Sequence, residues 1–102
     1  MAYLLCVDDE PSISGLVRQI LKMAGHEVAV AESGPQALAM VREREPDLIL
    51  LDRSMPGMDG LDVCRTLKSN PFLSRIPILM LTALVSIDFK IPLKVTIQLV
   101  PK

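Results

Sequence analysis

As far as residue 84, the apolar positions of the chain follow two alternating spacings. Tyr3 to Val7 is a short, continuously apolar run, as expected of a strand buried on both faces. Beyond Asp8, Asp9, Glu10 and Pro11, the residues Ile13, Leu16, Val17, Ile20 and Leu21 recur at helical intervals. That spacing predicts a helix with all five turned inward, Ser12 as its cap and Gly25 as its left-handed stop. Glu27 to Ala31 reads as a second strand. Ser33, Gly34 and Pro35 open a second helix with Ala37, Leu38 and Val41 facing inward, and Pro46 ends that unit. Leu48 to Leu51 is a third apolar strand that runs straight into Asp52. A loop with Pro56, Gly57 and Gly60 follows, then a helix marked by Leu61, Cys64 and Leu67. Ile78 to Leu81 forms a fourth strand, ending at Thr82 and Ala83.

Strands alternating with helices in this way predict a parallel sheet covered on both faces, because parallel strands need crossovers and helices supply them. The fold class is therefore α/β, a doubly wound parallel sheet. The rhythm changes after residue 84. Val85, Ile87, Phe89, Ile91, Leu93, Val95, Ile97 and Leu99 are apolar, and every residue between them is polar or proline. This alternation predicts an extra long C-terminal β-strand, and it divides the chain into a core, 1–84, and a tail, 85–102.

Composition narrows the function. The chain has 102 residues, half of them hydrophobic, which suits one small core. A net charge of −1 gives no general attraction to nucleic acid or to a membrane surface, and an aromatic content of 3% removes stacking platforms for bases. No apolar run approaches the roughly 18 residues of a membrane span. The apolar start lacks a basic leader and meets three acids at once, unlike a secretory signal. Cys6 and Cys64 sit among apolar neighbours and read as buried free thiols, so a cytoplasmic setting is expected. His26, just past a helix end, reads as a surface residue.

The chemistry lies in the acids. Ligands of doubly wound sheets bind beyond the carboxyl ends of the strands, near the switch in strand order. Asp8 and Asp9 follow the first strand and Asp52 ends the third. If these strands are neighbours, three carboxylates converge and repel unless a cation sits among them. Oxygen ligands in a shallow, wet cleft suit Mg²⁺, and a carboxylate beside it can attack phosphorus. The alternative is that Asp8, Asp9 and Glu10 merely cap a helix and complement its dipole.

Three blocks carry a resemblance: Val7 to Pro11, Leu50-Leu-Asp-Arg-Ser-Met-Pro-Gly-Met-Asp-Gly60, and Pro77 to Ala83. In order and spacing they resemble the signature blocks of two-component response-regulator receiver domains, over about residues 1 to 84. The resemblance implies a flavodoxin-like receiver fold, here incomplete, and a switching module that is not an enzyme beyond catalysing its own phosphoryl transfer and loss. It implies Asp52 as phosphoacceptor, Asp9 as a direct Mg²⁺ ligand, Asp8 acting through water, and the Ser54 backbone carbonyl completing the protein's share of the coordination. It further implies Thr82 as the switch hydroxyl, with the small Ala83 leaving it room, and a histidine kinase or phosphotransfer protein as phosphodonor. Arg53 is expected on the opposite face of its strand, and Met55 and Met58 belong to the loop signature.

The sequence also departs from that family. No Lys-Pro pair follows the fourth strand, so none of Lys90, Lys94 and Lys102 is assigned the phosphate-pairing role. The tail is open to three readings: an altered reading frame, a natural or designed variant whose strand replaces missing elements, or a segment that pairs with another chain. Two competing functions follow. One is an assembly-prone receiver fragment with impaired signalling. The other is an aspartate-nucleophile phosphohydrolase, which the serine at position 54 opposes, since such enzymes place an acid there. A strand of about 50 Å, at roughly 3.3 Å per residue, outruns any partner in its own sheet. The chain is therefore expected to form a homo-oligomer through residues 85–102, and sedimentation showing a compact monomer at micromolar concentration would contradict this.

Overall fold

The computed structural model describes residues 2–52 and 55–81, which form four strands and three helices. In chain order these are β1 (Tyr3–Val7), α1 (Pro11–Met23), β2 (Glu27–Ala31), α2 (Gly34–Glu43), β3 (Leu48–Asp52), α3 (Gly60–Lys68) and β4 (Ile78–Leu81). The strands make one parallel sheet in the order β2-β1-β3-β4. The chain thus reverses its direction of growth between β1 and β3, as the doubly wound class requires. The tail, 85–102, and the long strand expected there lie outside the described residues.

The continuously apolar strands sort by parity, because successive side chains point to opposite faces. Leu5, Val7, Ile49, Leu51, Ile78 and Met80 face α2 and α3, where Ala37, Val41, Val63 and Leu67 complete a buried layer. Leu4, Cys6, Leu48, Leu50 and Leu79 face the other way and join Leu21 of α1 and Val28 of β2. Hence these strands show no polar alternation: both faces are covered.

At the strands' amino ends, the structure adds a polar clasp. The backbone N–H of Tyr3 donates to Asp47 Oδ2 (2.8 Å), and Asp47 N–H donates to the Tyr3 carbonyl (2.7 Å). The Arg44 guanidinium lies 3.9 Å over the Tyr3 ring while holding Glu27 with both nitrogens, at 2.6 and 3.0 Å.

Three expectations are corrected. Of the five α1 residues expected inward, only Leu21 is buried and Val17 half-buried; Ile13, Leu16 and Ile20 are 49–58% exposed, with Met23 beside them at 81%. The helix touches the sheet along Ser14, Val17 and Leu21, so its more apolar flank is turned about a quarter-turn away. Ser12 is not the cap: the helix begins at Pro11 with Glu10 as N-cap residue, and Ser12 Oγ donates instead to Glu10 Oε2 (3.4 Å). His26 is buried, not on the surface. It lies beside the start of β1, where its Nδ1 accepts the Ala2 N–H at 3.2 Å. Gly25 does stop the helix, at φ 94°.

This packing separates two leucines on one helix. Leu21→Ala should cost about 2–4 kcal/mol, whereas Leu16→Ser should stay within about 0.5 kcal/mol of the parent, both read from urea unfolding.

Candidate functional site

Strand pairing builds the site. β1 and β3 are parallel neighbours in the register Val7↔Leu51, so the next positions along both strands are Asp8 and Asp52. Being one step beyond a paired couple, the two aspartates share a parity. Asp9 follows at once at the open end. One carboxylate oxygen from each of Asp8, Asp9 and Asp52 lies within 4.8 Å of the others. The three differ in setting: Asp8 is 5% exposed, Asp52 is half-buried, and Asp9 is the most open of the three.

Asp8 is held on both sides. Its N–H donates to the Ala31 carbonyl (3.0 Å), extending the β1–β2 ladder, and its Oδ1 accepts the Glu10 N–H (2.9 Å). The alternative of a helix cap is not what the structure shows: no side chain caps α1 and no acid lies in its first turn, and the Asp8 bond to the Glu10 N–H closes a turn ahead of the helix. Below the acids, the Cys6 thiol is pushed up to about 11, first by burial and then by the charges of Asp8 and Asp52. A hard, oxygen-only donor set, partly open to water, matches Mg²⁺ better than a softer ion.

The loop from Asp52 to α3 is anchored at several points. Met55 is buried in the layer under α2 and α3, and Met58 packs against the same layer. Between them Gly57 takes φ 76°, a value that favours glycine. Asp59 and Asp62 form a reciprocal capping box, with N–H···O distances of 2.9 and 3.2 Å. Ser54 and Thr82, expected at the site, lie outside the described residues, as do Arg53 and Ala83.

The family model of the response regulator receiver domain matches residues 4–94. The chain belongs to that family. This receiver domain is 49% identical over 80 residues to the DNA-binding response regulator MtrA of Mycolicibacterium smegmatis, a match covering 78% of this chain and 34% of that protein. It is 46% identical to the phosphate regulon transcriptional regulatory protein PhoB of Pseudomonas aeruginosa, over 86% of this chain and 38% of the relative. The receiver domain thus spans about a third of the length of these curated relatives. Among solved structures, it is similar to the N-terminal domain of a response regulator receiver protein from Methanoculleus marisnigri, with TM-score 0.80 and 37% identity over 82% of this chain and 68% of that one. The chemotaxis protein CheY4 of Vibrio cholerae gives 0.79 and 38%, over 84% and 72%. The fold and the two-component role implied by the three sequence blocks are thereby established. Among the described residues, no helix is long and apolar enough to cross a membrane.

The raised Cys6 thiol has a measurable consequence. At pH 8 a thiol reagent should modify the half-buried Cys64 first and reach Cys6 only after denaturation, read by mass spectrometry. Above pH 9 the unfolded chain ionises this thiol while the folded one keeps it neutral up to about 11, so stability should decline across that window.

Proposed function

We propose that this receiver domain accepts a phosphoryl group on Asp52 with Mg²⁺ held beside it, the donor being a histidine kinase or phosphotransfer protein. The observation that carries the reading is the convergence of Asp8, Asp9 and Asp52 at the carboxyl ends of adjacent parallel strands. Asp9, the most open of the three, and Asp52 would ligate the cation directly, with the Ser54 carbonyl; Asp8, one oxygen already committed to Glu10, would act through water. A bound divalent cation supplies positive charge that offsets the build-up on the phosphoryl oxygens.

An Asp52 carboxylate oxygen attacks phosphorus in line with the donor's P–N bond. As the O–P bond forms the P–N bond breaks, and the donor imidazole keeps the electron pair. Thr82 would then turn its hydroxyl toward the new phosphoryl group. The cluster's concentrated negative charge disfavours this attack without a cation, which makes the reaction metal-dependent. MtrA is named a DNA-binding regulator; with a net charge of −1, this receiver domain is proposed to leave DNA contact to other parts of such proteins.

With acetyl phosphate and Mg²⁺, Asp52 should become labelled and Asp52→Asn should not, read by intact mass. Asp9→Ala should lose the Mg²⁺-induced amide shifts at residues 8–10 and 52. Labelling of Asp52→Asn at the parent rate, or unchanged shifts in Asp9→Ala, would refute the assignment.

A further inference from the structure

We propose that Gly34, the first residue of α2, is a positioning residue for the acceptor site, acting through Met58 on the loop that follows Asp52; the inference rests on the reading of Asp52 given above. A Cβ on Gly34 would stand 2.9 Å from both Cγ and Sδ of Met58 and 3.0 Å from Cγ2 of Val63. Real Cβ atoms essentially never approach that closely. A positive φ is not the reason for glycine here: among the described residues it occurs only at Gly25 and Gly57. As the residue before Pro35, a glycine also avoids the crowding between a Cβ and the proline ring that disfavours helical backbone there. Beyond that, Gly34 supplies closeness to Met58 and Val63.

The contact can yield only on the side of the half-buried Met58. Val63 is fully buried on α3, and Cγ of Met58 is only two bonds from its backbone. The loop is also fixed at both ends, by β3 pairing as far as Asp52 and by the Asp59–Asp62 capping box. A push at Met58 therefore runs back along 55–58 toward Asp52 and loads Met55, the buried residue of that stretch. The other side of the contact leads to the acids as well. Gly34 follows Ala31 by three residues, and the Ala31 carbonyl holds the N–H of Asp8. Gly34 thus joins the half of the site built on β1 and β2 to the half built on β3 and its loop.

The test compares three forms of the full chain: wild type, Gly34→Ala, and Gly34→Ala combined with Met58→Ala, which removes both crowded atoms. In the metal-free proteins, amide signals of residues 55–60 should shift in the single variant and return toward wild type in the double. Asp52 labelling by acetyl phosphate should fall roughly tenfold or more in the single variant and recover in the double. The Mg²⁺ concentration for half-saturation should rise and recover in parallel. Unmoved amides with wild-type labelling in Gly34→Ala would overturn the proposal. So would a double variant as impaired as the single, because the effect would then not pass through Met58. If Gly34→Ala melts early, recovery in the double variant remains the deciding comparison. If wild type fails to label at Asp52, the acceptor assignment falls, while the metal-free amide comparison still decides whether Gly34 sets the loop.

Discussion

Everything at the acidic end depends on how β1 lies against β3. A parallel pair has evenly spaced, slanted hydrogen bonds, and its register is pinned here by Leu4↔Leu48 through Val7↔Leu51. Those are buried leucines, a cysteine, a valine and an isoleucine, each committed to one of two packed layers. A slip by one residue would exchange the layers and leave the strands' contents facing the wrong helices. Hydrophobic packing therefore fixes the alignment, and the aspartates next in line inherit it. The repulsion between them is tolerated because many apolar contacts, rather than any attraction at the site, decide where the strands sit.

The two layers are not equal. Under α2 and α3 the sheet joins a layer that takes in Met55 of the loop and residues from both helices, so the loop is part of the core it borders. On the other face α1 contributes one fully buried leucine over β1 and β2, and its apolar flank is left half-exposed. The loop that follows Asp52 thus leans, through Met55 and Met58, on the more heavily built side. The electrostatics agree with that division of labour: Cys6, on the α1 side, feels the acids, while the carboxylates of the loop's end, Asp59 and Asp62, are occupied with backbone N–H groups.

Much of this was legible in residue order. The strands announce themselves as unbroken apolar runs, and helix starts and stops were marked by Pro35 and Gly25. The acids were found because three of them follow strand ends and because the blocks around them resemble one family. The failures are equally physical. Periodicity gives the apolar side of α1 but not its rotation on the sheet, so Ile13, Leu16 and Ile20 were expected inward when Ser14 and Leu21 make the contact. His26 was expected outside because a residue past a helix end usually is, yet it packs at the start of β1, a contact across 24 residues that no local pattern encodes. The Gly34–Met58 approach is likewise long-range: glycine before proline looked like a helix start and nothing more.

The parity of the strands carries a further meaning for how such a chain can change over evolutionary time. In β3 each of Leu48 to Leu51 belongs to one layer or the other, and Asp52, the proposed acceptor, stands at the end of the count. Losing or gaining one residue inside β1 or β3 would rotate every later side chain of that strand to the opposite face, breaking both cores and turning the terminal carboxylate away from its neighbours. Substitution can explore these strands one volume at a time, but changes of length cannot enter them. They must accumulate instead in segments such as residues 69–77, between α3 and β4, where added chain leaves the alignment of the acids untouched.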